Sequence, residues 1–121
     1  MKSNLKEMTV KIPIESWKIG YLAGLIDGEG TVGLYKHAEA FEKIRPRFFV
    51  TNNSEVLMLW LKNTFGGAIR RHGNGYRWSF WAIKDVQEIL KPITPFLLIK
   101  KENAKKVLSY CEKNIQAHRD Q

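Results

Sequence analysis

The spacing of apolar and polar positions changes several times along the chain, and each change marks an expected element. Ser16 is placed to cap a helix from Trp17 to about Asp27, which Gly28 and Gly30 would end. Thr31 to Tyr35 alternates as a strand does, and Pro46 to Thr51 reads as a second, joined to the first by a charged loop. Ser54 would cap another helix with Val56, Leu57, Leu59, Trp60 and Leu61 as its apolar set, ending at Gly66-Gly67. A hairpin follows, with strands Ala68 to Arg71 and Tyr76 to Trp81 around a His72-Gly73-Asn74-Gly75 turn. Asp85 to Leu90 forms a short helix, and after Pro92 and Pro95 a last helix spans about Lys101 to Ile115. The order α-β-β-α-β-β-α-α implies an α+β fold: one four-stranded antiparallel sheet backed by helices.

Alternation also assigns faces to the strands. Val32, Leu34, Phe48, Val50 and Ile69 point to the core. Thr31, Gly33, Tyr35 and His37 point away, as do Arg45, Arg47, Arg70, His72, Arg77 and Ser79, with Phe49 oddly among them. Four arginines therefore share one sheet face.

With 121 residues, 44% of them hydrophobic, the chain suits one domain over residues 1–121, with residues 1–12 as an arm. Twenty Lys and Arg against 12 Asp and Glu give a formal charge of +8, which favours a polyanionic partner. The basic residues are spread over several segments rather than along one amphipathic helix. Neither a secretory signal nor an apolar run of membrane-spanning length (about 18 residues) is visible, so nucleic acid and an intracellular location are expected and a membrane is not. Cys111 is the only cysteine, which excludes an internal disulfide, and its neighbours Val107, Leu108 and Tyr110 mark it as a packed, inert thiol.

The chemistry concentrates in residues 20–30, Gly-Tyr-Leu-Ala-Gly-Leu-Ile-Asp-Gly-Glu-Gly. Gly20, Ala23 and Gly24, continued by Gly28, form a small-residue stripe on a helix. Each helical glycine costs about 0.5–1 kcal/mol relative to alanine, so the stripe needs a reason. Either a second helix approaches closely, or the stripe packs on the chain's own sheet. Asp27 and Glu29 lie at the helix C-terminus, where the macrodipole disfavours an anion by roughly 0.3–1 kcal/mol. A bound cation would reverse that sign, with carboxylate and carbonyl oxygens as hard ligands; a solvated acidic helix end is the plain alternative.

Leu22-Ala23-Gly24-Leu25-Ile26-Asp27-Gly28-Glu29-Gly30 resembles the signature of the LAGLIDADG homing endonucleases, differing at two of nine letters. The αββαββα order is similar over nearly the whole chain. With one motif, the resemblance implies a homodimer pairing through Gly20, Ala23, Gly24 and Asp27. It implies a metal-dependent DNA endonuclease that cuts both strands of a long, near-palindromic target, using Mg2+ or another divalent cation such as Mn2+. It further implies mobility of an encoding intron or intein. Glu29 matches the metal-binding carboxylate and Gly28 a backbone ligand. Asn52 matches the polar residue that orients the water network, and Lys100, in Pro95-Phe96-Leu97-Leu98-Ile99-Lys100, the cation near the phosphate. Val56 stands where some relatives carry a basic residue.

The DNA-reading surface would then be the arginine face: Thr31, Tyr35, His37, Arg45, Arg47, Arg70, His72, Arg77 and Ser79. A solvated basic face is the plainer reading. His37, His72 and His118 fall on separate elements and do not suggest a metal site. Lys101, Lys105, Lys106 and Lys113 read as a helix's wet face, and Trp60, Trp78 and Trp81 as core. An intron RNA maturase, or a non-catalytic DNA-binding regulator, is the second function the same fold would allow. A basic dimeric scaffold without activity is the third.

Overall fold

Ser54 accepts a 3.1 Å hydrogen bond from the Leu57 N–H, and a helix starts there as expected. The computed structural model describes residues 9–11, 14–36 and 44–119, the side chains of 118 and 119 excepted. His37, the charged loop between the first strands, most of the arm and the His118 side chain lie outside the described residues.

Helix α1 (Ser16–Glu29) leads into β1 (Gly30–Lys36), β2 (Ile44–Asn52), helix α2 (Glu55–Phe65), β3 (Ala68–His72) and β4 (Gly75–Ser79). Helix α3 (Ile83–Ile93), a 3-10 turn (Thr94–Phe96) and helix α4 (Lys101–Arg119) complete the chain. The sheet order is β1-β2-β4-β3 and every pairing is antiparallel. The fold is α+β in the expected order.

Several boundaries move, for local reasons. Ser16 is the first residue of α1 and not its cap; the Lys18 and Ile19 N–H groups donate to the Glu15 carbonyl just before it. Gly28 does not end α1, which runs on to Glu29 and closes with the Gly30 N–H on the Ile26 carbonyl. Gly30 leaves the helix in an extended conformation and has no room for a side chain, since a Cβ there would lie 2.8 Å from Ile26 Cα. Helix α3 is longer than Asp85 to Leu90, holding Pro92 in its last turn. The second hairpin strand ends at Ser79, short of Trp81.

The helices cover one face of the sheet. Leu22, Ala23 and Ile26 of α1 pack with Val32, Phe48, Val50 and Trp78 of the strands, and Val86, Ile89, Leu90, Leu97 and Val107 close the core. Burying each Leu or Ile side chain contributes about 1.5–3 kcal/mol, enough for Leu22 and Ile26 to offset the helical glycines of α1. Cys111 is buried there, and that burial, helped by Glu112, pushes its thiol up to about 11, which suits an inert residue. The arm is anchored at its end, where Val10 is buried and the Lys11 N–H donates to the Phe65 carbonyl at 3.0 Å.

Some apolar assignments change. Helix α2 buries Met58, Leu61 and Phe65, whereas Val56 is 81% and Leu59 51% exposed. In a nearly unbroken apolar run such as Val-Leu-Met-Leu-Trp-Leu, sequence offers no contrast to choose the inward face. Leu34, expected inside, is 39% exposed.

Candidate functional site

The C-terminus of α1 opens directly onto β1, so the acids of that turn stand where the helix, the end of β2 and the approach to α4 meet. Asp27 and Glu29, two residues apart, have different partners. The Asp27 carboxylate accepts the backbone N–H groups of Leu98, Lys100 and Ile99 at 2.7, 3.0 and 3.1 Å. It thereby holds the turn that enters α4, at that helix's favourable positive end. Desolvation would raise its pKa; the Leu98, Lys100 and Ile99 N–H bonds and the Lys100 charge outweigh that and hold the group below its ordinary range. Asp27 is thus an intrachain clamp. Ala23, at 1% exposure, belongs to the chain's own core.

Glu29 is exposed, and its Oε1 accepts the Asn52 side-chain N–H at 3.0 Å. Asn52 is oriented from behind, since its Oδ1 accepts the Ser54 N–H at 2.8 Å, which points the amide nitrogen at Glu29. The Lys100 Nζ donates to the Ile26 carbonyl at 2.8 Å and to the Gly30 carbonyl. A cation therefore offsets the negative helix end that Asp27 and Glu29 would otherwise aggravate. Glu29, Asn52 and Lys100, drawn from three distant segments, share one corner with the Gly28 backbone.

Gly20, Gly24 and Gly28 lie exposed along α1, and a Cβ built on any of them meets nothing within 4 Å among the described residues. Packing on the chain's own sheet therefore does not explain these glycines. Beside them Trp17 and Tyr21, 58% and 50% exposed, pack against Trp60, the first tilted and the second edge-on, and Val56 extends the same apolar flank.

The opposite surface of the sheet is basic. Register places Gly33 opposite Arg47, Tyr35 opposite Arg45, Thr31 opposite Phe49, Phe49 opposite Ser79 and Arg70 opposite Arg77, so these residues share one face, as alternation implied. His72 lies at its tip opposite Gly75. Among the described residues the ion pairs are Lys18–Glu15 and Lys105–Glu102, and neither involves these arginines. Aromatic rings lie beneath three of them instead: Arg47 over Tyr35 at 3.9 Å, Arg77 over Phe49 at 3.8 Å and Arg70 over Trp81 at 5.0 Å. Trp81, 38% exposed under Arg70, is not the core residue expected, whereas Trp78 is fully buried with its indole N–H on the Gly66 carbonyl.

Sequence reasoning missed the Asp27 clamp and the aromatic supports. The clamp spans more than 70 residues and left no local signal. The supports were foreshadowed by Phe49 falling on the arginine side of β2.

Among the described residues no group of three or more His, Cys, Asp or Glu converges, and no helix is long and apolar enough to cross a membrane.

A family model described as LAGLIDADG endonuclease matches residues 22–115. No curated protein matches the chain. Among solved structures, the homing endonuclease I-CvuI in complex with its target in the presence of calcium aligns with a TM-score of 0.71 at 21% identity, covering 81% of this chain and 68% of that one. The archaeal intron-encoded homing endonuclease I-Vdi141I complexed with DNA aligns with a TM-score of 0.69 at 19% identity, over 83% and 70% of the two chains. The group I intron-encoded I-CeuI complexed with DNA gives 0.64 at 22% identity, over 91% and 61%. The fold is that of these homing endonucleases.

Proposed function

The chain belongs to the LAGLIDADG endonuclease family, and from that premise we propose that two copies assemble into an intracellular, metal-dependent endonuclease that cuts both strands of a near-palindromic DNA site, in the service of intron or intein homing. The observation that carries this reading is the exposed Glu29 carboxylate, oriented by Asn52 at 3.0 Å, at the end of a bare glycine stripe. Pairing two α1 helices along Gly20, Gly24 and Gly28 brings the two Glu29 carboxylates together. It also covers the apolar flank of Trp17, Tyr21 and Val56.

The donor set suits a hard divalent cation, Mg2+ or Mn2+: one carboxylate and one Gly28 carbonyl from each copy, leaving positions for phosphate oxygens and water. Such an ion supplies Lewis acidity toward the phosphate and an activated water. The protein's part is positional. Asn52 fixes the Glu29 rotamer and presents an amide at the edge of the site. Lys100, held at the helix end by two carbonyls, adds positive charge where a phosphate would approach. The arginine face enters the major groove on either side, with other cations on phosphates.

The test is cleavage of a randomised duplex library with Mg2+, run beside Glu29→Gln. Specific double-strand cuts by the wild type alone support the reading, and symmetry in the recovered site would report the dimer. Binding without cutting would overturn it in favour of an intron RNA maturase or a DNA-binding regulator.

A further inference from the structure

The arginine face contains an arrangement that DNA affinity alone does not require. Arg77 lies with its guanidinium 3.8 Å from the Phe49 ring centre, and its Nε is buried without a hydrogen-bond partner. One of its terminal nitrogens stands 3.5 Å from His72 Nε2. Arg47, opposite Gly33 on the neighbouring strand, repeats the pattern over Tyr35 at 3.9 Å. A large apolar ring on the polar face of a sheet is a poor choice for solubility. Here Phe49 covers one flat side of a cation.

Stacking restricts a guanidinium to one plane while leaving its in-plane N–H groups free, and a planar donor fork matches two acceptors lying in one plane. Guanine O6 and N7 form such a pair in the major groove. Phosphate, by contrast, is bound well by a mobile, solvated cation and gains little from fixed orientation. Position favours the base as well. Arg47 and Arg77 are on β2 and β4, the two inner strands of the sheet, so they sit mid-face, where a ribbon reaches deepest into a groove. Shielding the Nε of Arg77 takes it out of competition and leaves the outer edge of the fork to contact the ligand.

We propose that Phe49 and Tyr35 are positioning residues for specificity: each holds one arginine, Arg77 and Arg47 respectively, in a fixed plane that reads a guanine in each half-site. This rests on the DNA-binding reading above and adds the base that is read and the residues that orient the readers. The side chains under the arginines thereby set discrimination without touching DNA.

The experiment compares wild type with Phe49→Leu, Phe49→Tyr and Arg77→Ala, all full-length. Sequence preference is read by selection on a randomised duplex, affinity by titration over a range of salt, and the Arg77 Nε–H by NMR in the free protein. The wild type should select guanine at one position per half-site through Arg77, with that preference lost in Arg77→Ala. Phe49→Leu should lower the preference at that position about tenfold, leave the salt slope and non-specific affinity unchanged, and move the Arg77 Nε–H resonance. Phe49→Tyr, which keeps a ring, should restore the preference. A guanine preference in Phe49→Leu within twofold of wild type overturns the proposal while DNA binding stands. So does a uniform loss of affinity across sequences, which would make Arg77 a phosphate anchor. A wild type that binds no DNA, with the Arg77 resonance still dependent on Phe49, removes the functional reading itself and guanine recognition with it.

Discussion

In the first αββ unit, Gly20, Gly24 and Gly28 lie on an open face of α1 where an added Cβ would meet none of the described residues. In the second, Gly67 follows α2 at φ +88°, and a Cβ there would lie 2.6 Å from Trp78 Nε1. The same residue type thus answers two demands. Gly67 is required by its own chain, through a left-handed backbone and a buried indole. The α1 glycines satisfy nothing among the described residues of the chain, which points to a demand outside them. The acids divide the same way: Asp27 holds the entry to α4, while Glu29, two residues on, faces out. A residue unexplained by its own fold is where a partner should be sought.

The largest effect expected is from Glu29→Gln. Losing a carboxylate worth several kcal/mol of transition-state stabilisation should reduce cleavage on the order of a thousandfold, with the melting temperature unchanged. A matched fall in stability would place Glu29 with Asp27 and dissolve the contrast. Next is Gly24→Leu. Overpacking costs about 1–3 kcal/mol and acts twice across a twofold axis, so dimerisation should weaken on the order of a hundredfold, read by sedimentation equilibrium. An unaltered dimer would remove the glycine stripe from the interface.

Gly67→Ala should destabilise the subunit by about 2–3 kcal/mol in urea denaturation, from left-handed backbone strain and the clash with Trp78. A loss as small as that of an exposed helical glycine would erase the distinction between the two sets. Asp27→Asn should cost about 1 kcal/mol, as loss of a cap does. The sign with pH follows from its lowered pKa. The stabilisation is present above the unfolded carboxylate value and is lost as pH falls through the lower, folded one, so variant and wild type should converge in acid. A difference that stays constant from neutral pH to acid would mean that the Asp27 charge contributes nothing.

Much of the fold was written locally. The Ser54 cap, the Gly66-Gly67 stop and the two alternating strand pairs each follow from a few neighbouring residues. The arginine face followed from a period of two. Helix α2 was less legible, because six consecutive apolar residues carry no amphipathic contrast and only the packing of Met58, Leu61 and Phe65 selected a face. Glu29, Asn52 and Lys100 could be matched to a family pattern, but the Asn52–Glu29 bond and the Lys100 bonds to the Ile26 and Gly30 carbonyls could not be read from the chain.

By itself, the sequence determined which segments are helix and strand, which strand face is charged, and that the turn at residues 27–30 is unusually acidic and glycine-rich. Tertiary structure alone decided that Asp27 serves α4, that Ala23 is core, that Asn52 turns its amide toward Glu29 and that Phe49 lies under Arg77. Caps and alternation are set by neighbours within a turn or a pleat. These four contacts depend on where segments between 20 and more than 70 residues apart come to rest, and no local rule contains that distance.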